Sequence, residues 1–157
     1  MGQRRALPDR RRFRRVPAGR IFGVPALKLL LDTHVWLWMA LQPQRLGEAS
    51  RSMIADRANS LFLSIASTWE IVVKQARGKL ELPTDVATYL RSRLPRSGAT
   101  LLDVSLDHVF ALDSIPDRHR DPFDRMLVAQ ALVEGMKLVS ADPRILAYPI
   151  ATIDARQ

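Results

Sequence analysis

Two short runs, "LKLLLD" at residues 27–32 and "MKLVSAD" at residues 136–142, are apolar almost throughout, and each ends in an aspartate. A strand with one wet face alternates apolar and polar residues, whereas a run without alternation needs cover on both faces. Such runs belong to a mostly parallel sheet, whose neighbouring strands must be joined by crossovers long enough to hold a helix. The intervening sequence has that form. "THVWLWMAL" reads as a helix as far as Gln42-Pro43, and Glu48 to Ala58 as a second, before the strand "SLFLSI" (60–65). Ser64 or Ser67 can cap the helix through "TWEIVVKQARG", with Gly78 as its stop. Pro83 and Thr84 open a helix over "DVATYLRSRL" that Pro95 and the turn "RSGA" close, and "TLLDV" (100–104) is a third strand. Ser105 caps the short helix "SLDHVFALDSI". Asp121 and Pro122 form an N-cap and N1 pair for a helix that runs to Glu134 and ends at Gly135. After the strand at 136–142, "PRILAY" is a helical turn and "IATID" an edge strand. The alternation predicts an α/β fold: a three-layer sandwich with a mostly parallel central sheet flanked by helices, and with 27–32 at its centre.

The 157 residues fit one domain, and 47% apolar content suffices for a core. The absence of cysteine excludes disulfides and thiolate metal sites and suits a reducing, cytoplasmic setting; any metal must be held by oxygen or by one of three histidines. No apolar run approaches the length of a membrane span. The net charge of +8 is unevenly placed, because residues 1–27 hold eight arginines against one acid and residues 28–157 are nearly neutral. Residues 1–27 therefore read as a basic, disordered extension, taken as an upstream start-site artefact in preference to an RNA-binding arm or an export signal, and residues 28–157 as the folded domain. No Gly-x-Gly-x-x-Gly, P-loop, Gly-x-Ser-x-Gly or His-Glu-x-x-His occurs, which removes dinucleotide, NTP-loop, serine-hydrolase and zincin readings.

In an open parallel sheet, ligands gather beyond the carboxyl ends of the strands. Asp32 and Asp142 fall there, Asp124 lies in the first turn of the helix feeding the second of those strands, and Glu70 lies on the helix after strand two. Four carboxylates that converge raise one another's pKa, and a hard divalent cation reverses that cost. Each acid also has a structural account. Asp32, Asp121 and Asp142 can cap helices, Asp124 gains from a helix dipole, and Glu70 can form a surface ion pair with Lys74 four residues on. Spacing alone leaves both accounts open. His108 reads as a surface residue, and Trp36, Trp38 and Trp69 read as core.

Taken together, "LLLDTHVWLW", "SIASTWEIVVKQARGKL", "HRDPFDRMLVAQA" and "KLVSADPRI" resemble the PIN-domain ribonucleases, specifically the VapC-type toxins of toxin-antitoxin pairs, over residues 28–153. The resemblance implies that Asp32, Glu70, Asp124 and Asp142 are catalytic ligands of Mg²⁺ or Mn²⁺, with Asp121 chiefly a cap that can assist from behind. It places Ser140 where a hydroxyl orients a ligand or water, and brings Lys74, His119 and Arg125 near the site, toward substrate phosphate. It implies an endoribonuclease that cleaves RNA by metal-activated water, a cognate antitoxin that occludes the site, and a homodimer. A housekeeping RNA-processing nuclease, a DNA nuclease, or a catalytically silent PIN-like binding module would share the fold.

Overall fold

A computed structural model describes residues 26–157, so nearly all of the basic extension expected over 1–27 lies outside the described residues. β1 (Lys28–Leu31), β2 (Ser60–Ser64), β3 (Ala99–Leu102), β4 (Lys137–Ser140) and β5 (Thr152–Asp154) form one sheet in the order β3-β2-β1-β4-β5, every pairing parallel. The connections carry α1 (Thr33–Leu41), α2 (Glu48–Ala55), α3 (Ile65–Ala76), α4 (Val86–Ser97), α5 (Leu106–Ser114), α6 (Pro122–Glu134) and α7 (Pro143–Leu146).

The unbroken apolar run of β1 is explained by its place in the middle of the sheet. Leu29 and Leu31 enter a cluster with Val35 and Trp36 of α1, Ile71 of α3 and Tyr89 of α4, whereas Leu30 enters another with Leu127 and Val128 of α6 and Ile145 of α7. Both faces of the strand are thus covered, and the expected three-layer sandwich forms. All three leucines are completely buried, each contributing about 1.5–3 kcal/mol. That contribution matters because the same strand runs directly into a buried acid.

Several local expectations are corrected. Helix α4 begins only at Val86, with Pro83 and Thr84 outside it and Asp85 as its cap, the carboxylate accepting from the Thr88 N–H at 3.0 Å. Pro95 does not close it: a proline near the end of a helix removes a single N–H, so the helix runs on to Ser97 and stops at Gly98, where φ is +69°. α2 stops at Ala55, short of Ala58, and β3 at Leu102, short of Val104. Of the two candidate caps for α3, Ser64 takes the role, accepting from the Ala66 N–H at 3.0 Å, and Ser67 is buried within the helix. His108 is buried, not on the surface; its Nδ1 accepts from the Ser105 N–H and its Nε2 meets Glu134, both at 3.0 Å. The histidine completes a capping box in place of the usual glutamate. Of the three tryptophans only Trp36 is core; Trp38 is partly buried, and Trp69 is 63% exposed, packed edge-on to Phe123.

Strand order places β2 and β3 on one side of β1 and β4 and β5 on the other. The winding reverses between β1 and β4, and the crevice at their carboxyl ends is where this architecture collects ligands.

Candidate active site

Asp32 leaves β1 at that crevice and is almost wholly buried. Its backbone N–H donates to the Val139 carbonyl at 3.0 Å, and the Ser140 hydroxyl donates across the crevice to Asp32 Oδ2 at 2.6 Å. The same hydroxyl accepts the Asp142 N–H at 3.0 Å, which fixes the direction of its proton. Ser140 therefore ties the ends of β1 and β4 together through one oxygen.

Glu70 reaches the rim from α3. It is 3% exposed, so its ion pair with Lys74 is not the surface pair expected from the spacing. Thr33 Oγ1 donates to Glu70 Oε2 at 2.5 Å, and Lys74 meets Oε1. Thr33 was missed as a supporting residue, although the hydroxyl next to Asp32 at the first turn of α1 is the available signal. Lys74 is pushed above its ordinary pKa: partial burial pulls it down, but the hydrogen bond and charge of Glu70, with Asp121 and Asp124 nearby, outweigh that.

Asp121 is the cap of α6, accepting from the Phe123 N–H at 2.9 Å and more weakly from the Asp124 N–H at 3.4 Å, with Pro122 at N1. That frees the Asp124 carboxylate, one helical turn in, to face the crevice. We expect Asp121→Ala to cost about 1 kcal/mol of stability, seen as a lower melting temperature, because two amides at the start of α6 lose their acceptor.

Asp142 caps a helix, as expected, and also faces His119. One oxygen caps α7, accepting from the Arg144 N–H at 2.8 Å, while Oδ2 meets His119 Nε2 at 3.0 Å. His119 Nε2 also lies 3.0 Å from Asp124 Oδ2, and a ligand atom from each of the three residues falls within 4.8 Å of the others. This trio is not a ready-made ligand set. The Asp121 N–H donates to His119 Nδ1 at 3.0 Å, so Nδ1 carries no proton and Nε2 must. His119 is thus a donor shared between two carboxylates, and Asp32 and Glu70 stand outside the 4.8 Å grouping. The structure turns Arg125 away from the acids; its guanidinium bonds the Leu112 and Pro116 carbonyls and Asp117 at the end of α5.

The electrostatics show that all four acids share one field. Burial is the largest force on Asp32 and, with the charges of Glu70 and Asp142, overrides the Ser140 hydrogen bond and raises its pKa from 3.8 to about 7. Asp124 is likewise raised to about 7 by burial, then by Asp32 and Asp121, with Glu70 adding to them. Asp142 goes the other way: burial would raise it, but His119 and Arg144 together hold it below the ordinary carboxylate range. His34, 3.4 Å from Asp32 Oδ2, is lowered chiefly by burial. Buried like-charged oxygens of this kind suit a hard divalent cation, which is the charge the cluster needs.

A family model described as PIN domain matches residues 29–150. Ribonuclease VapC22 of Mycobacterium tuberculosis is 29% identical over 122 residues, 76% of this chain and 91% of that protein. Ribonuclease VapC16 of the same organism is 39% identical over 59 residues, 38% of this chain and 42% of that one. Among solved structures, VapBC2 from Rickettsia felis bound to a promoter DNA fragment superposes with a TM-score of 0.61 at 13% identity, covering 81% of this chain and 98% of that one. FitAcB from Neisseria gonorrhoeae gives 0.59 at 18% identity, over 81% and 97% of the two chains. At those identities the likeness is one of fold.

Proposed function

The chain belongs to the PIN-domain family, and on that premise we propose that it is a VapC-type endoribonuclease, the toxin of a toxin-antitoxin pair, acting on RNA in the cytoplasm. Residues 28–157 are its nuclease domain, with residues 1–27 as an extension outside it. Its partners are an RNA substrate, a cognate antitoxin and a second copy of itself. The kinship with VapC ribonucleases, and the fold shared with a solved toxin-antitoxin complex, support this. No helix among the described residues is long and apolar enough to cross a membrane.

The observation that carries the reading is the meeting at one crevice of the buried Asp32 and the partly buried Asp124, each raised to about 7 chiefly by burial, with the charges of Glu70 and Asp142 adding to the shift of Asp32 and that of Asp32 to the shift of Asp124. We assign Asp32, Glu70, Asp124 and Asp142 as the catalytic metal ligands and Mg²⁺ or Mn²⁺ as the ion. When bound, the cation supplies the positive charge that polarises a scissile phosphate and activates water. The chain's own residues keep the oxygens in place. Ser140 aims Asp32, Thr33 and Lys74 aim Glu70, and His119 holds Asp124 and Asp142 by a shared proton. No side-chain nucleophile is needed.

The test is cleavage of single-stranded RNA by the purified protein in Mn²⁺, abolished by chelator. Calorimetric titration with Mn²⁺ should show binding heat that Asp124→Ala removes together with cleavage. Undiminished Mn²⁺-dependent cutting by Asp124→Ala would overturn the assignment.

A further inference from the structure

A cleft leads away from the acids along α1. Near them it is lined by His34, Trp38, Arg45, Asp142, Arg144 and Arg156, and His34, Trp38 and Arg45 continue to line it toward Lys79. Arg144 and Arg156 direct their charge to Asp142 and Asp154, each two residues back in sequence. Arg45 is differently placed. It sits exposed in the 3-10 turn Pro43–Arg45, its guanidinium carbon 4.4 Å from the centre of the Trp38 ring. Its side chain bonds Gln42 Oε1 at 3.2 Å and has no carboxylate partner among the described residues. Trp38 in turn packs on His34 at 5.0 Å between ring centres, and His34 Nδ1 lies 3.4 Å from Asp32 Oδ2. An unbroken ladder of side chains therefore joins the acid cluster to a cation that has no carboxylate partner among the described residues.

We propose that Arg45, held over Trp38, binds a backbone phosphate of single-stranded RNA beside the bond to be cut. This rests on the nuclease reading above and adds the residues that hold the substrate. An acid cluster repels a polyanion, so a strand laid against it needs cations along its approach. The guanidinium has five donors, of which one is engaged here, and planar forks suit phosphate oxygens. Stacking on the indole restricts the arginine before the ligand arrives, so less side-chain freedom is lost on binding. Charge favours RNA over a protein occupant: the cleft is lined by four cations, Arg45, Lys79, Arg144 and Arg156, against two acids, Asp142 and Glu81, and even with Arg144 and Arg156 paired to Asp142 and Asp154 it stays positive as it approaches the proposed cleavage centre. Trp38 acts through Arg45 and is a positioning residue.

The probe is a fluorescein-labelled single-stranded oligoribonucleotide, with Ca²⁺ in place of the catalytic ion and binding read by anisotropy across a salt series. Arg45→Ala should weaken binding about tenfold at low salt and flatten the salt dependence by about 0.7, the slope of one phosphate contact on a single strand. Arg45→Lys keeps the charge without the fork and should fall between. Trp38→Leu should weaken binding as Arg45→Ala does, while Trp38→Phe, which keeps an aromatic face, should restore most of it. Lys137→Ala, at the opposite end of the sheet, should bind as the parent does. In Mn²⁺, KM should rise in Arg45→Ala with kcat unchanged to within about twofold. Arg45→Ala and Trp38→Leu binding and cutting RNA like the parent would overturn the proposal and leave the cleft to a protein partner. A parent protein that neither binds nor cuts the RNA would instead sink the nuclease reading, and this one with it.

Discussion

Asp32→Asn should lose RNA cleavage by on the order of 10³-fold or more while staying folded, and at pH 8 without metal it should melt above the parent protein. The substitution removes a charge and almost no volume, so the packing of β1 is undisturbed. The amide oxygen can still accept from the Ser140 hydroxyl, which preserves the bond across the crevice. What disappears is the cost of an ionised carboxylate in a site where burial raises its pKa from 3.8 to about 7. At about 1.4 kcal/mol per pKa unit, that cost is on the order of 4 kcal/mol above pH 8. Near pH 5 the parent carries Asp32 protonated, and the two proteins should melt nearly together. Single-turnover cleavage in Mn²⁺ and melting curves at the two pH values check both halves. A variant that is inactive and also strongly destabilised at pH 8 would show that Asp32 serves the fold and not a cation.

The strands, their order of burial and the acids at their ends were legible because they follow from periodicity and from the geometry of parallel sheets. β1 and β4 had to be covered on both faces, and two apolar runs each ending in an aspartate had to deliver those aspartates to one rim. The caps at Asp121 and Ser105 were equally legible, since each is a local hydrogen bond between near neighbours, whereas for α3 the sequence left Ser64 and Ser67 open and the structure selects Ser64. Residues governed by distant partners were not. His108 reads as surface until Glu134, 26 residues away, is seen to meet its ring. Trp69 reads as core because α3 is apolar around it, yet it is 63% exposed and packs edge-on against Phe123 of α6. The cap at Asp142 is likewise local, but the meeting of its other oxygen with His119, 23 residues away, is not legible from the sequence. The protonation pattern of His119 lies further still from the sequence. It depends on a backbone N–H two residues on and on two carboxylates from separate elements.

Metal-free protein should lose stability as pH rises from about 4 to about 8, and a divalent cation should reverse the loss. For an acid with a raised native pKa, the folded chain holds its proton after the unfolded chain has released it, so unfolding releases protons and stability falls with pH. That contribution is complete below pH 4, declines through the native value, and is gone above it. Asp32 and Asp124 both titrate near 7 and both act in this direction. Asp142 opposes them: its lowered pKa adds stability at neutral pH that is lost only as pH falls below the ordinary carboxylate range. The metal-free optimum should therefore lie on the acid side of neutrality. Adding Mn²⁺ at a hundredfold excess over its Kd stabilises by about 2.7 kcal/mol, or roughly 10 °C in melting temperature for a domain of this size. At pH 5 the ion must displace protons from Asp32 and Asp124, and its effect should nearly vanish. Melting curves at pH 5 and pH 8, with Mn²⁺ and with chelator, read all four corners. An equal shift at both pH values would mean that the ion binds elsewhere, because only ligands that release protons on binding can make the stabilisation depend on pH in this sense.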